Sequence, residues 1–253
     1  MKRILFLAVV FLAVKSQELT AWSELQHSAI NYIADCHLNA KAKKRIERYL
    51  GGRSIVYYAS WMDHIRKTPE YIFSDTWHMD LVDENFKRID NERYGGVPAL
   101  EEVIKKLKNY KSLDDSTVAV NIKFLIHLLP DLHTPCHVAY TNRRSFNVKY
   151  NGVERSYHAV WDGLMLNNAN PWSYTEYQRE LDRFSANEKK QVTQGTPREW
   201  FEQTARDCAI IYDWAKPGDE LGVDFMVKAH ALGERQMLIA GYRLAYVLNQ
   251  LFG

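Results

Sequence analysis

Ser116-Thr117-Val118-Ala119-Val120-Asn121-Ile122-Lys123-Phe124-Leu125-Ile126-His127-Leu128-Leu129-Pro130-Asp131-Leu132 reads as a long, largely apolar helix, and Thr134-Pro135 breaks it. His127 and Asp131 stand four apart in this helix, so both side chains project from one face. Pro130 between them predicts a kink or a bend. Working outward, most of the chain carries the same helical signature. Residues 23–36 space Leu25, Ala29, Ile30 and Ile33 at helical intervals, and residues 40–50 form a helix stopped by Gly51-Gly52. Further helices are expected over 54–66, 98–108, 158–166, 175–184, 197–215 and 223–251, the 98–108 helix starting on a first-turn proline. The one strand signal is residues 146–155, where Asn151-Gly152 separates two short segments as a hairpin turn does. The expected fold class is all-α, a single mainly helical domain with one small β-hairpin.

The 253 residues suffice for one domain with a sizeable core, and 46% hydrophobic with 25% charged residues is an ordinary globular balance. Residues 1–21 have the plan of a secretory signal peptide: basic Lys2-Arg3, an apolar run from Ile4 to Val14, then a polar stretch ending at Ala21. The apolar run is short for a membrane span, and no later run is long enough for one. The expected organisation is therefore a leader at 1–21 and a domain at 22–253, exported to the periplasm or secreted, with no stable membrane association and no protein partner implied. Lys2, Arg3, Lys15 and Glu18 of the leader account for the whole formal charge of +2, so the processed chain is near neutral. Any affinity for phosphates must then come from a local site. Three cysteines, Cys36, Cys136 and Cys208, leave at least one unpaired within the chain. Cys36 with Cys208 is a candidate disulfide.

The nine histidines include several in a pattern with aspartates. His127 with Asp131 and His158 with Asp162 are both four apart on helices, His137 follows the break at Thr134-Pro135, His78 falls in a loop, and Asp63 lies near the end of the third helix. Imidazole and carboxylate suit zinc, and a helical pair lets one rigid element fix two ligands. One such pair is more often a helix-face hydrogen bond. Two pairs in one exported chain, with further His and Asp in apolar-aromatic settings, point to a metal site, and the spacing leaves the number of ions open.

Five segments resemble one family. Trp22-Ser-Glu-Leu-Gln-His27 is similar to the opening W-G-x-x-G-H of the zinc-dependent single-strand nucleases (the S-one/P-one family, with plant bifunctional nucleases and 3′-nucleotidases). Ala59-Ser-Trp-Met-Asp63 with Arg66 resembles their A-S-W-x-D-x-x-R, and Trp77-His78 their W-H pair. Residues 124–137 resemble F-L-x-H-x-x-G-D-x-H-Q-P-L-H, and Tyr157-His158-Ala-Val-Trp-Asp162 resembles L-H-x-x-W-D. The segments follow family order from Trp22 to Asp162, and the last third of the chain carries no such motif. The resemblance implies three zinc ions. One would be held by Asp63, His78, His127 and Asp131. A second would take the Trp22 amine and carbonyl, His27 and the shared Asp131. The third would take His137, His158 and Asp162. It further implies hydrolysis of single-stranded DNA or RNA to 5′-phosphate products, with 3′-nucleotidase activity beside it. The substrate partner would be a single-stranded nucleic acid or nucleotide. Asp63 would orient the attacking water and Arg66 would hold a phosphate oxygen. Zinc phospholipase C shares the implied fold and ligand plan and is the runner-up; a non-catalytic zinc-binding protein is the alternative from another class.

Several positions depart from the pattern. Ser23, Gln26 and Pro130 replace family glycines, Cys136 replaces a leucine, and Met79 stands where an aromatic often stacks a base. Phe146, Tyr140 or Tyr157 is expected to supply a replacement stacking surface. His133 reads as structural, His37, His64 and His230 as surface or core residues, and Lys105, Lys106 and Lys108 as a solvated helix face.

Overall fold

The computed structural model describes residues 22–253. The expected leader, and its cleavage after Ala21, lie outside the described residues. Twelve helices and four short strands are seen there. Helices α1 (Glu24–Cys36) and α2 (Ala40–Tyr49) are followed by a 3-10 turn (Ile55–Tyr58) and α3 (Trp61–Ile65). Strand β1 (Asp80–Val82) leads to α4 (Gly96–Lys108) and α5 (Asp115–Asp131). Strands β2 (Val138–Tyr140), β3 (Asn147–Tyr150) and β4 (Val153–Ser156) come next. Helix α6 (Tyr157–Ala159), a π-type turn (Val160–Leu164) and α7 (Met165–Asn167) form one distorted run. The chain ends in α8 (Tyr174–Leu181), α9 (Ala186–Val192), α10 (Pro197–Cys208), α11 (Ile211–Trp214) and α12 (Val223–Phe252).

The thirty-residue α12 is the spine of the core. It buries Met237, Ala240, Leu244 and Leu248 completely, and each fully buried Leu or Met stabilises the fold by about 1.5–3 kcal/mol. Its closest neighbour is α1. At Gly241 an added Cβ would sit 2.6 Å from Ile33 Cγ2 and 3.2 Å from the Ile30 carbonyl oxygen. Glycine at this crossing is therefore a packing requirement. Helix α5 lies in the middle of the bundle, with every residue from Phe124 to Asp131 buried. Asp114 caps it by accepting from the Thr117 amide at 2.8 Å.

Pro130 leaves the carbonyl of Ile126 without its usual helical donor. Asn31 of α1 supplies one: its Nδ2 donates to that carbonyl at 3.0 Å and to the His27 carbonyl at 2.9 Å. The proline is thus accommodated at the end of α5, and the helix continues through it to Asp131.

The structure corrects several expected elements. The helix expected over 54–66 is broken at Ala59-Ser60 into the 3-10 turn and α3. The helix expected over 197–215 ends at Cys208 and resumes at Ile211, and α9 carries no apolar face that would have announced it. The hairpin stands as expected, pairing Asn147 with Ser156 and Tyr150 with Val153. A second two-stranded sheet is present: β1 and β2 run parallel with Asp80 opposite Val138 and Val82 opposite Tyr140. Three-residue strands of this kind give no readable alternation. The candidate Cys36–Cys208 disulfide is absent. All three thiols are free, with Cys36 exposed and Cys136 and Cys208 buried.

Candidate metal centre

Six separate stretches bring their histidines and aspartates to one place. Helix α5 supplies His127 and Asp131 from one face. Helix α1 supplies His27, whose ring stacks on that of His127 with centroids 4.1 Å apart. Asp63 comes from α3, placed by the break at Ala59-Ser60. The parallel β1–β2 pair does the next step: Asp80 opposite Val138 sets the loop holding His78 beside the turn holding His137. The π-type turn supplies the rest, with His158 just before it and Asp162 within it. Gly163 has φ 149°, and a Cβ there would lie 2.7 Å from Ser23 Cβ. The departure at Ser23 is therefore matched by a glycine at 163, and the Ser23 amide donates to the Asp162 carbonyl at 2.6 Å. Ser23 and Gln26 also reach Asn167 Oδ1, at 3.1 and 3.0 Å.

Asp131 is fully buried and faces three imidazoles. Its Oδ2 accepts from His78 Nδ1 at 2.7 Å and lies 3.2 Å from His127 Nε2. Its Oδ1 lies 3.2 Å from His27 Nε2, in contact without hydrogen-bond alignment. His127 donates from Nδ1 to the Ala59 carbonyl at 2.8 Å, which turns Nε2 inward, 3.7 Å from Asp63 Oδ1. In the neighbouring group His137 Nε2 and His158 Nε2 lie 3.4 and 3.2 Å from Asp162 Oδ1.

Three sets of donor atoms each lie within 4.8 Å of one another: His27, Asp63 and His127; His78, His127 and Asp131; His137, His158 and Asp162. All eight residues are among those the sequence singled out. The grouping differs from the expected one: His27 and Asp63 fall together with His127, apart from the set of His78, His127 and Asp131, so the first two sets overlap through His127 where the expected groups shared Asp131.

The electrostatics favour a cation. Burial opposes charge on His127, but the carboxylates of Asp131 and Asp63 outweigh it and its pKa is pushed up to about 9. Burial likewise opposes charge on Asp131, yet His127, His27 and His78 hold its carboxyl well below the usual range. His27 and His78 are driven down, chiefly by burial. The Asp162 carboxyl is lowered: burial opposes ionisation, and His158 and His137 overcome it. The donor set also fits a metal by its unmet valences. Among the described residues His27 Nδ1 and Nε2, Asp63 Oδ1, His78 Nε2, Asp131 Oδ1 and both Asp162 oxygens are buried with no hydrogen-bond partner. Buried polar atoms left so cost about 1–3 kcal/mol each unless something binds them.

Trp22 is fully buried, and its indole Nε1 donates to the Pro130 carbonyl at 3.2 Å. Residue 22 is thus fixed between the end of α5 and the Asp162 turn. Arg66 lies one turn beyond Asp63, with Nε 3.9 Å from Asp63 Oδ1 and Nη1 3.5 Å from Asp75 Oδ1. Asp75 was not singled out by sequence, since it sits in no motif. His133 is structural as expected. Its Nδ1 donates to the Leu129 carbonyl at 2.8 Å, and its Nε2 accepts from Arg243 Nη1 at 2.8 Å. Burial and the Arg243 charge bring its pKa down to about 3, so it is neutral. His37 pairs with Asp182 at 2.8 Å and the exposed His64 with Glu24 at 3.0 Å, away from the centre.

The expected replacement stacking surface is corrected. Tyr140 and Tyr157 are buried, with their hydroxyls donating to the carbonyls of Ala205 and Ile211 at 2.8 and 2.7 Å. Phe146 lies flat on Tyr157 with centroids 4.7 Å apart, so these rings stack on one another. Among the described residues no helix is long and apolar enough to cross a membrane.

Comparison with known proteins agrees with this geometry. The family model for S1/P1 nuclease matches residues 22–253. The chain is 25% identical over 268 residues to "Nuclease P1" of Penicillium citrinum, covering 92% of this chain and 98% of that protein. It is 26% identical over 182 residues to "Nuclease S1" of Aspergillus oryzae, covering 67% of this chain and 62% of that protein. It is 23% identical over 290 residues to "Endonuclease 2" of Arabidopsis thaliana, covering 99% of this chain and 97% of that protein. With the family model matching all of the described residues, the chain belongs to the S1/P1 nuclease family of phosphodiester-cleaving hydrolases.

Proposed function

We propose that this protein is an exported, zinc-dependent nuclease that hydrolyses single-stranded DNA or RNA to 5′-phosphate products, with 3′-nucleotidase activity at the same centre. The observation that carries the reading is the run of three contiguous His/Asp groups whose buried atoms lack partners. Asp63, His78, His127 and Asp131 would hold one ion, the Trp22 amine and carbonyl with His27 and Asp131 a second, and His137, His158 and Asp162 a third. Bound zinc would acidify water towards a pKa of about 7 and neutralise charge on the phosphate.

The chain's own residues do the rest. Asp131 presents one oxygen to the His78–His127 side and the other to His27, as a carboxylate shared between two ions must. Asp63 orients the attacking water as well as holding an ion, its Oδ1 being buried with no hydrogen-bond partner of its own. Arg66 offers its planar donor fork to a non-bridging phosphate oxygen next to Asp63. The position of Trp22 supports removal of residues 1–21, because only a free amine has a lone pair for a metal.

The test is one panel on the zinc-loaded exported protein: single-stranded DNA and RNA, a 3′-nucleotide, and phosphatidylcholine. Cleavage of the nucleic acids to 5′-phosphate ends is the expected result. Turnover of phosphatidylcholine alone would overturn the nuclease reading, and full zinc occupancy with no turnover would overturn the catalytic one.

A further inference from the structure

Next to the metal centre a cleft of about 820 Å³ runs from His158 past Met79 to Arg93, Arg143 and Arg144. Its size suits a ligand of one to a few nucleotides. Glu92 is the one acidic residue on its wall, against three arginines. Arg93, Arg143 and Arg144 form no ion pair with any carboxylate among the described residues. This is unusual in a chain whose residues beyond the leader balance acid against base. Uncompensated cations gathered in one concave surface focus the field on an anion.

Arg143 is the most firmly held of the three. Its guanidinium lies 5.4 Å from the centroid of Tyr140 and 5.3 Å from that of Tyr212. Its Nη1 donates to the Ala209 carbonyl at 2.5 Å. The two rings and the carbonyl fix the plane of the fork before any ligand arrives, so little rotamer entropy is lost on binding. Arg93 is steadied more loosely, over Tyr94 at 5.1 Å, with its amide donating to Asn91 Oδ1 at 3.0 Å. Of the two rings beneath Arg143, Tyr140 is buried and Tyr212 is half-buried, and the guanidinium lies against both, so the wall offers cations first.

We propose that this cleft binds the phosphates of nucleotides flanking the cleaved bond, with Arg143 as its fixed anchor and Arg93 and Arg144 as outer contacts. The proposal rests on the nuclease reading and deepens it: the strand is gripped through its backbone over more than one nucleotide, without reading base identity. Each guanidinium neutralises about one phosphate, so binding must weaken with salt.

The test compares wild-type zinc-loaded protein with an R93Q/R143Q/R144Q variant of the same chain, whose circular dichroism and unfolding temperature are checked first. An uncleavable phosphorothioate octanucleotide is titrated over a salt series. The slope of log affinity against log salt is expected to fall in magnitude by about 2 units, some 0.7 per arginine. In parallel, the ratio of kcat/KM for an octanucleotide to that for a dinucleotide is measured. Wild type should favour the longer substrate by about tenfold or more, and the variant should lose that preference. An R143K variant, keeping charge without the fork, should retain the salt slope. An unchanged slope and length preference in the triple variant would overturn the proposal. Wild type inert on both substrates would sink the nuclease reading instead, and the binding arm would still judge the cleft.

Discussion

Trp22 and Pro130 are joined by a hydrogen bond from indole Nε1 to a carbonyl, 3.2 Å long, one residue before Asp131. The start of α1 is thereby held at the end of the helix that bears the most buried carboxylate of the centre. A chain processed to begin at Trp22 would carry its amine at the metal site. Amine and carbonyl of one residue form a five-membered chelate, so extension by a single residue before Trp22 removes the amine donor and with it the chelate. The extended protein should bind one zinc fewer by elemental analysis and turn over much more slowly. Mass spectrometry of exported protein should show a start at Trp22; a different start, or full zinc in the extended chain, refutes this.

Asp131 faces His27 with one oxygen and His78 and His127 with the other. Asp131→Asn halves that capacity and removes the charge. Activity should fall by more than about 100-fold, and bound zinc should fall by more than one ion. Arg66→Ala should keep its zinc and lose catalysis through weaker phosphate binding. Zinc lost from the Arg66 variant would make that residue structural.

Removing metal leaves buried Asp and His atoms with nothing bound to them. Chelation should therefore lower the unfolding temperature, and zinc should restore it. Saturation at 100 times the dissociation constant corresponds to about 2.7 kcal/mol. The ligand histidines must be neutral to bind, and His127 holds its proton up to about 9, so zinc affinity should decline as pH falls below about 9 and recover above it. Calorimetric titration at several pH values checks the sign; affinity that rises on acidification contradicts it.

Gly241 sits where α12 crosses α1, with room for no side chain against Ile33. Gly241→Ala gains helix propensity of up to about 1 kcal/mol, but the overlap with Ile33 and the Ile30 carbonyl should outweigh it. A net loss of about 1–3 kcal/mol is expected in urea unfolding, and a variant as stable as wild type would show that α1 can yield.

The helical class, the hairpin and two His–Asp pairs of the centre were legible because each rests on local spacing, whereas His27, Asp63, His78 and His137 were assigned to it by the family motifs. His127 with Asp131 and His158 with Asp162 declare themselves by a four-residue interval on a helix. What could not be read depends on contacts far apart in sequence. The β1–β2 pair joins residues 80 and 138 through three-residue strands that carry no pattern. Asp75, the partner of Arg66, has no motif. The overlap of two donor sets at His127 is a matter of packing angles. The expectation that Tyr140 or Tyr157 offers a stacking face failed because a tyrosine in sequence does not disclose whether its ring is buried.

The bond from Asn31 to the Ile126 carbonyl ties positions 31 and 130 together energetically. With proline at 130 that carbonyl is a buried acceptor whose donor comes from across the interface, so an apolar residue at 31 would leave it unmet at a cost of about 1–3 kcal/mol. A residue with a backbone N–H at 130 would let the helix satisfy the carbonyl itself, and the side chain at 31 would then be freer to change. Substitutions at the two sites are therefore non-additive: exchange of the proline cushions the loss of the amide.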